Sequence, residues 1–296
     1  MRADHQAKRE AGAIILAGGH GTRLLSLTRG ITGRDLPNQF CTILGKETLL
    51  EQTRRRVSLS ISPERTVTVL SRAHELFYSP LISETSLGNL AIQPAKRGTV
   101  AAILFGLLWL CNLQRISTVA IFLPSDRYLS DDAIFMRHVD VAISAVSSLP
   151  AKIVLLGTPA DSPESGYGWV EPAEQLTQAS PGVEPICRIR HFWEKPPPHI
   201  AADYWLSGFL RNSFVMVAEV GELLDLFARM TPQLYSSFAE SMPVLDTPLE
   251  GNAIAKLYAS IPSGTSLKRF SRVVRQSCRS FPPPALNGTT WASRAV

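Results

Sequence analysis

Ala13-Ile14-Ile15-Leu16-Ala17-Gly18-Gly19-His20-Gly21-Thr22-Arg23-Leu24 is the stretch from which the rest of this chain can be read. A short apolar run, of the kind that forms a buried strand, breaks into a turn rich in glycine and ends on an arginine. Glycines carry no side chain, so backbone N–H groups can close on an anion there. Arg23 adds a planar, permanently charged fork suited to phosphate oxygens. The same residues also fit an ordinary strand, a turn and a surface arginine, because a lone glycine motif is a weak signal. Two familiar phosphate loops are excluded. A P-loop needs Lys-Ser/Thr after its last glycine, whereas Gly21 is followed by Thr22-Arg23. A dinucleotide fingerprint needs a third glycine where Leu24 stands.

Outward from that stretch, short apolar runs recur at 66–70, 119–123 and 153–156. Helical spacing fills 47–57, 99–112 and 131–149. Strands alternating with helices predict an α/β fold with a mainly parallel central sheet covered on both faces. Ligands of such sheets sit beyond the carboxyl ends of the strands. The glycine turn occupies one such end and Pro124-Ser125-Asp126 another. Arg54-Arg55-Arg56 reads as the solvated face of a helix that buries Leu49, Leu50 and Thr53. Helical, proline-punctuated segments follow at 220–230, 234–242 and 250–260.

Composition narrows the class. The chain has 296 residues, 45% hydrophobic and 19% charged, as expected of a folded globular protein. Its +5 charge is mild and scattered, unlike the basic stripe of a nucleic-acid binder. Cys41, Cys111, Cys187 and Cys278 lie too far apart for a zinc motif and read as reduced thiols. The polar start is not a signal peptide, and the apolar run 100–111 is too short to span a bilayer. No membrane partner is expected, and the cytoplasm is the default compartment.

With its neighbours, the opening stretch resembles the signature of the sugar-1-phosphate nucleotidylyltransferases, Gly-Gly-x-Gly-Thr-Arg-Leu. Ser26-Leu27-Thr28-Arg29 and Leu36-Pro37-Asn38-Gln39-Phe40 are similar to the mannose-1-phosphate guanylyltransferase version, with Asn38 in place of a lysine. That resemblance implies a single Rossmann-like, three-layer nucleotidyltransferase domain over 1–296, with a helical sugar-side insert at about 218–260 and no C-terminal β-helix. It implies Mg2+ as cofactor, a nucleoside triphosphate and a sugar 1-phosphate as partners, and leaves a homo-oligomer open. Ala17, Gly18, Gly19, Gly21, Thr22 and Arg23 would hold the triphosphate, with Ser125 beside them.

Further segments carry the resemblance along the chain. Gln93-Pro94-Ala95-Lys96-Arg97-Gly98-Thr99 is similar to a Glu-Pro-x-x-Arg-Asn-Thr segment, giving Arg97 and Thr99 to the nucleotide. As residues alone they equally suit a solvated turn capped by Thr99. Asp126 could be a turn residue, but Asp131 and Asp132 are better placed to cap the next helix. The resemblance makes Asp126 the magnesium ligand, and hard carboxylate oxygen suits that ion. Arg127 follows it where the family has histidine. Pro163-Glu164-Ser165-Gly166-Tyr167-Gly168 and Phe192-Trp193-Glu194-Lys195-Pro196 match the sugar-side segments, assigning Glu164, Gly168 and Glu194 to the sugar and Lys195 to its phosphate. A surface ion pair before a proline-rich turn is the plainer reading of Glu194-Lys195.

Asn212 keeps the amide that would read a sugar hydroxyl, while Arg211 replaces a tryptophan and Phe214 a glycine. Lys268 and Asn287 stand where aspartates are expected. The implied reaction is nucleotidyl transfer, with Arg23, Asp126 and Lys195 catalytic. Asn38, Lys268 and Asn287 leave room for a weakened relative that binds nucleotide or sugar nucleotide as a regulatory or partner subunit.

Overall fold

A computed structural model of the chain describes residues 11–21, 24–82, 89–114, 118–148, 153–178, 184–245, 247–262 and 278–281. The strands are β1 (Ala11–Leu16), β2 (Thr66–Ser71), β3 (Leu90–Gln93), β4 (Val119–Pro124), β5 (Ile153–Pro159), β6 (Gly168–Gln175), β7 (Cys187–Glu194), β8 (Leu210–Glu219) and β9 (Cys278–Phe281). The helices are α1 (Leu25–Thr32), α2 (Leu49–Val57), α3 (Glu75–Tyr78), α4 (Thr99–Gln114), α5 (Asp132–Ser148), α6 (Pro198–Leu206), α7 (Val220–Met230), α8 (Pro232–Ser241) and α9 (Glu250–Ser260).

Among the described residues the strands form one sheet in the order β3-β2-β1-β4-β8-β5-β9-β7-β6. The block β3-β2-β1-β4 is parallel throughout, which is the parallel sheet that the alternation predicts. Its strands are near-continuously apolar because helices cover both faces. Ile14, Val69 and Phe122 face one core with α4, and Ala13, Ile15 and Leu123 face the other with α5.

Helix α4 is apolar all round because it is buried all round. One side lies on the sheet, and the rings of Phe238 and Tyr258, from α8 and α9, close over Phe105 on the other. Gly106 brings it unusually near: a Cβ there would lie 2.7 Å from methyls of both Ile14 and Val69. Helices α8 and α9 thus cover the outer side of α4. No helix among the described residues is long and apolar enough to cross a membrane.

Strand β8 runs antiparallel between β4 and β5, then reaches β6 through Trp169↔Arg211. The register slips after Leu156↔Val215, so that Gly157 faces Asn212. Phe214 lies in that bulge with φ 60°, a left-handed conformation that bulky residues rarely adopt.

One expectation fails here. Arg56 is not on a solvated face: it is buried, its Nε donating to Asp132 at 2.5 Å, and Arg54 donates to the Leu81 carbonyl. Helix α2 is covered on that side by α5, which the helix's own spacing does not reveal. Asp131 caps α5 as expected, its carboxylate accepting from the Ile134 N–H at 2.8 Å. Cys41 and Cys187 are buried free thiols.

Candidate active site

Parallel pairing of β1 with β4 puts Leu16 opposite Pro124, so the turns leaving both strands emerge side by side. Ser125 fastens them together, donating its backbone N–H (3.3 Å) and hydroxyl (2.9 Å) to the Leu16 carbonyl. Ala17 is buried, and its N–H donates to Val69 in β2 at 2.8 Å. The side-chain amide of Gln39 donates to the carbonyls of Ala17 (3.1 Å) and Gly19 (2.6 Å). In a trans peptide the carbonyl and the next N–H point opposite ways, so the N–H groups of Gly18 and His20 face away from Gln39.

Gly18 and Gly21 are glycines for reasons of space. A Cβ on Gly18 would lie 2.6 Å from the Gln93 amide nitrogen. Gly21 has φ 60°, and a Cβ there would meet the Asn38 side-chain oxygen at 2.4 Å. Asn38 is buried, and its Nδ2 donates to the Asp126 carbonyl at 3.3 Å. One side chain therefore touches both the glycine turn and the aspartate turn. Its Oδ1 has no hydrogen-bond partner among the described residues.

The Gln93 turn closes this half. The Tyr258 hydroxyl donates to Gln93 Oε1 at 3.3 Å, and Arg97 Nε donates to the Tyr258 carbonyl at 2.7 Å. Arg97 thus ties the turn to the end of α9. The capping of α4 differs from expectation: Gly98 offers the carbonyl that accepts from Ala102, and Thr99 is the first helical residue. His20, on the glycine turn, packs edge-on against buried His74 with ring centroids 5.1 Å apart. Burial, and then Lys96, lowers the pKa of His20; burial, then His20 and Lys96, lowers that of His74.

The second half is built by β6, β7 and β8. Pairing sets Gly168 opposite Glu194. A Cβ on Gly168 would lie 3.1 Å from Glu194 Oε2 and 3.4 Å from the Asn212 Cβ, so these three sugar-side candidates converge. Asn212 is buried and its Oδ1 accepts from the Phe214 N–H at 3.0 Å, which supports the bulge. Lys195 is exposed with φ 49°, its N–H donating to the Tyr167 carbonyl at 3.1 Å. Glu164 is exposed on the loop before β6, where its backbone carbonyl accepts from Trp169 Nε1. Arg127 links the halves: it follows Asp126 in the chain, and its guanidinium lies 5.4 Å from the Tyr167 ring centroid.

Thr22, Arg23, Lys268 and Asn287 lie outside the described residues. Asp126 is half-buried at the mouth of the first half. No cluster of three or more His, Cys, Asp or Glu able to hold a metal occurs among the described residues. A single carboxylate suits a magnesium ion that arrives on phosphate oxygens, because that ion is commonly held by one or two carboxylates plus the substrate.

Gln39 and Gln93 brace these turns, a part that sequence reasoning leaves unassigned. Gln39 stands inside the Pro37-Asn38-Gln39-Phe40 segment, so the motif marks its position, but its partners lie 22 and 20 residues away.

Comparison with known proteins places this geometry. A family model described as nucleotidyl transferase matches residues 12–240. The alginate biosynthesis protein AlgA of Pseudomonas fluorescens is 27% identical over 227 residues, covering 76% of this chain and 44% of that protein. The mannose-1-phosphate guanylyltransferase RfbM of Salmonella typhimurium is 26% identical over 255 residues, covering 84% of this chain and 50% of that protein. The chain thus spans about half the length of these curated relatives. A crystal structure from Thermus thermophilus, titled a mannose-1-phosphate geranyltransferase, superposes with TM-score 0.73 and 26% identity, covering 93% of this chain and 74% of that one.

Proposed function

Because the chain belongs to the nucleotidyl transferase family, we propose that it transfers a nucleotidyl group from a nucleoside triphosphate, GTP by preference, to mannose 1-phosphate. The observation that carries this reading is the joining of the glycine turn to the Asp126 turn through Ser125 and Asn38, which holds the two turns side by side at the strand ends. The similarity to a mannose-1-phosphate guanylyltransferase supports the choice of base and sugar.

In this reading the outward N–H groups of Gly18 and His20 seat the triphosphate, and Arg23 faces the leaving pyrophosphate. Glu194 and the Asn212 amide receive sugar hydroxyls, while Lys195 lies beside the sugar phosphate. The phosphate oxygen of the acceptor attacks the α-phosphorus, and pyrophosphate leaves in line. Positioning and charge neutralisation do the catalytic work. Asp126 would hold magnesium, which supplies charge neutralisation between the phosphates when bound.

Pyrophosphate release is the direct test, with each of the four common triphosphates against mannose 1-phosphate and glucose 1-phosphate, with and without magnesium. Product from one pairing, abolished in Asp126→Asn, is the expected result. A second reading rests on Asn38: where the resembling family has a lysine, this chain buries a neutral amide. A weakened relative that only binds would be stabilised thermally by nucleotide and release no pyrophosphate.

A further inference from the structure

The loop 160–167 carries the chain from β5 to β6, and both of those strands pair with β8. Thr158 of β5 lies opposite Arg211 on one side, and Trp169 of β6 lies opposite it on the other. The loop therefore crosses from one flank of β8 to the other, with Arg211 between its two ends. Arg211 is buried, which charged side chains rarely are unless paired. Its charged head meets the loop twice. Nη2 pairs at 2.8 Å with Asp161, near the start of the loop. The guanidinium also lies 5.3 Å from the ring centroid of Tyr167, the loop's last residue.

Through Tyr167 the loop reaches the acceptor half. The Tyr167 carbonyl accepts from the Lys195 N–H at 3.1 Å. Lys195 has φ 49°, a backbone conformation that residues other than glycine seldom adopt and that persists only where the surroundings impose it. Next in the chain after Tyr167 is Gly168, where Glu194 and Asn212 converge. We propose that Arg211 is a positioning residue for the sugar-phosphate acceptor: by gripping Asp161 and Tyr167 it fixes the loop that keeps Lys195 aimed and Gly168 in place. The identity of the acceptor rests on the nucleotidyl-transfer reading above; the grip on the loop does not.

The chemistry suits a permanent grip. A guanidinium stays charged at any working pH, and its planar head can lie against a ring while an edge N–H donates to a carboxylate. Asp161 neutralises the buried charge, so Arg211 acts on the acceptor through Tyr167 rather than by touching it. The two partners differ in exposure, 4% for the Arg211 side chain and 39% for that of Asp161. Removing the arginine leaves a carboxylate that water can reach, whereas removing Asp161 alone would strand a buried cation. Arg211→Met is therefore the gentler variant, since an unbranched apolar chain fills the space.

Two measurements on the full chain test this: amide hydrogen exchange without ligand, and calorimetric binding of mannose 1-phosphate and of GTP. In Arg211→Met the Lys195 amide and residues 162–168 should exchange about tenfold faster or more, with β1 and β4 unchanged. Mannose 1-phosphate should bind about tenfold more weakly, the loss of one charge-assisted contact, with GTP changed by under about twofold. Adding Asp161→Ala to Arg211→Met should move neither result by more than about twofold, because the pair acts as a unit.

Unchanged exchange at Lys195 overturns the proposal, as does equal weakening of GTP and mannose 1-phosphate, or a further loss on adding Asp161→Ala. So does unchanged mannose 1-phosphate binding in Arg211→Met when the wild type binds it. Should Arg211→Met fail to fold, Tyr167→Leu, which removes the ring and keeps the carbonyl, must show the same two changes or the proposal falls. Faster exchange in the variant, with a wild type that binds no mannose 1-phosphate, keeps the grip on the loop and removes the reading of the reaction.

Discussion

At the scale of single residues, Gly21 carries the strictest requirement in the cleft. Its φ of 60° disfavours any side chain, and a Cβ would also lie 2.9 Å from the Asn38 backbone nitrogen. Gly21→Ala should therefore cost about 1–2 kcal/mol of stability from backbone conformation alone, and push Asn38 off Asp126. Calorimetric titration of the variant should show GTP affinity at least about tenfold weaker, one charge-assisted contact's worth. His74 gives a pH signature. Its folded-state pKa is lowered by burial, then by His20 and Lys96, so the native ring is held neutral. As pH falls below the ordinary value of 6.5, the unfolded chain takes up the proton first. Stability at this site is complete above that value and declines with acid, towards the lowered native pKa. Thermal melts between about pH 7 and about pH 5 should show this fall, and His74→Phe, which keeps a ring between Phe40 and Phe77, should flatten it. The glycines and Asp126 are legible in the sequence because each motif is contiguous and its chemistry local. Gln39, Gln93 and His74 are not, because what gives them a role is a partner brought in by the fold.

At the scale of elements, the strands and helices fall where the apolar runs and helical spacing put them, and the misreadings come from tertiary contacts. Arg56 is the clearest case: helical spacing turns it outward, yet α5 arrives to bury it against Asp132. Burial lowers the pKa of its guanidinium, and Asp132 works against that shift. Asp132→Ala would strand a buried cation and should destabilise the chain by about 3 kcal/mol or more, seen as a lower urea midpoint. One residue earlier, Asp131→Ala removes only the α5 cap and should cost about 1 kcal/mol in the same measurement. The ordering of these two neighbours separates a buried ion pair from an exposed cap. Phe214 shows the opposite limit of sequence reading. A bulky aromatic in an apolar strand looks ordinary, and nothing local announces the bulge that turns it.

At the scale of the whole molecule, β8 belongs to both parts of the sheet, pairing with β4 near one end and β6 near the other. The two halves of the candidate site are thus joined by the continuous backbone of β8. The helical layer packs its aromatic core on α4 and is tied to the 93–98 turn through Tyr258 and Arg97, which meet across a separation of 161 residues. Arg97→Ala should speed amide hydrogen exchange in α9 and the 93–98 turn while leaving β1 and β4 protected. That dependence of the cleft on a distant helix is invisible in any one motif. Gly106 sets a final constraint. With no methyl on Gly106, α4 packs directly against the Ile14 and Val69 side chains beneath it. Any larger residue at that position would lift α4 off Ile14 and Val69. Variation there would shift the whole helical layer above the sheet without altering any residue of the two turns.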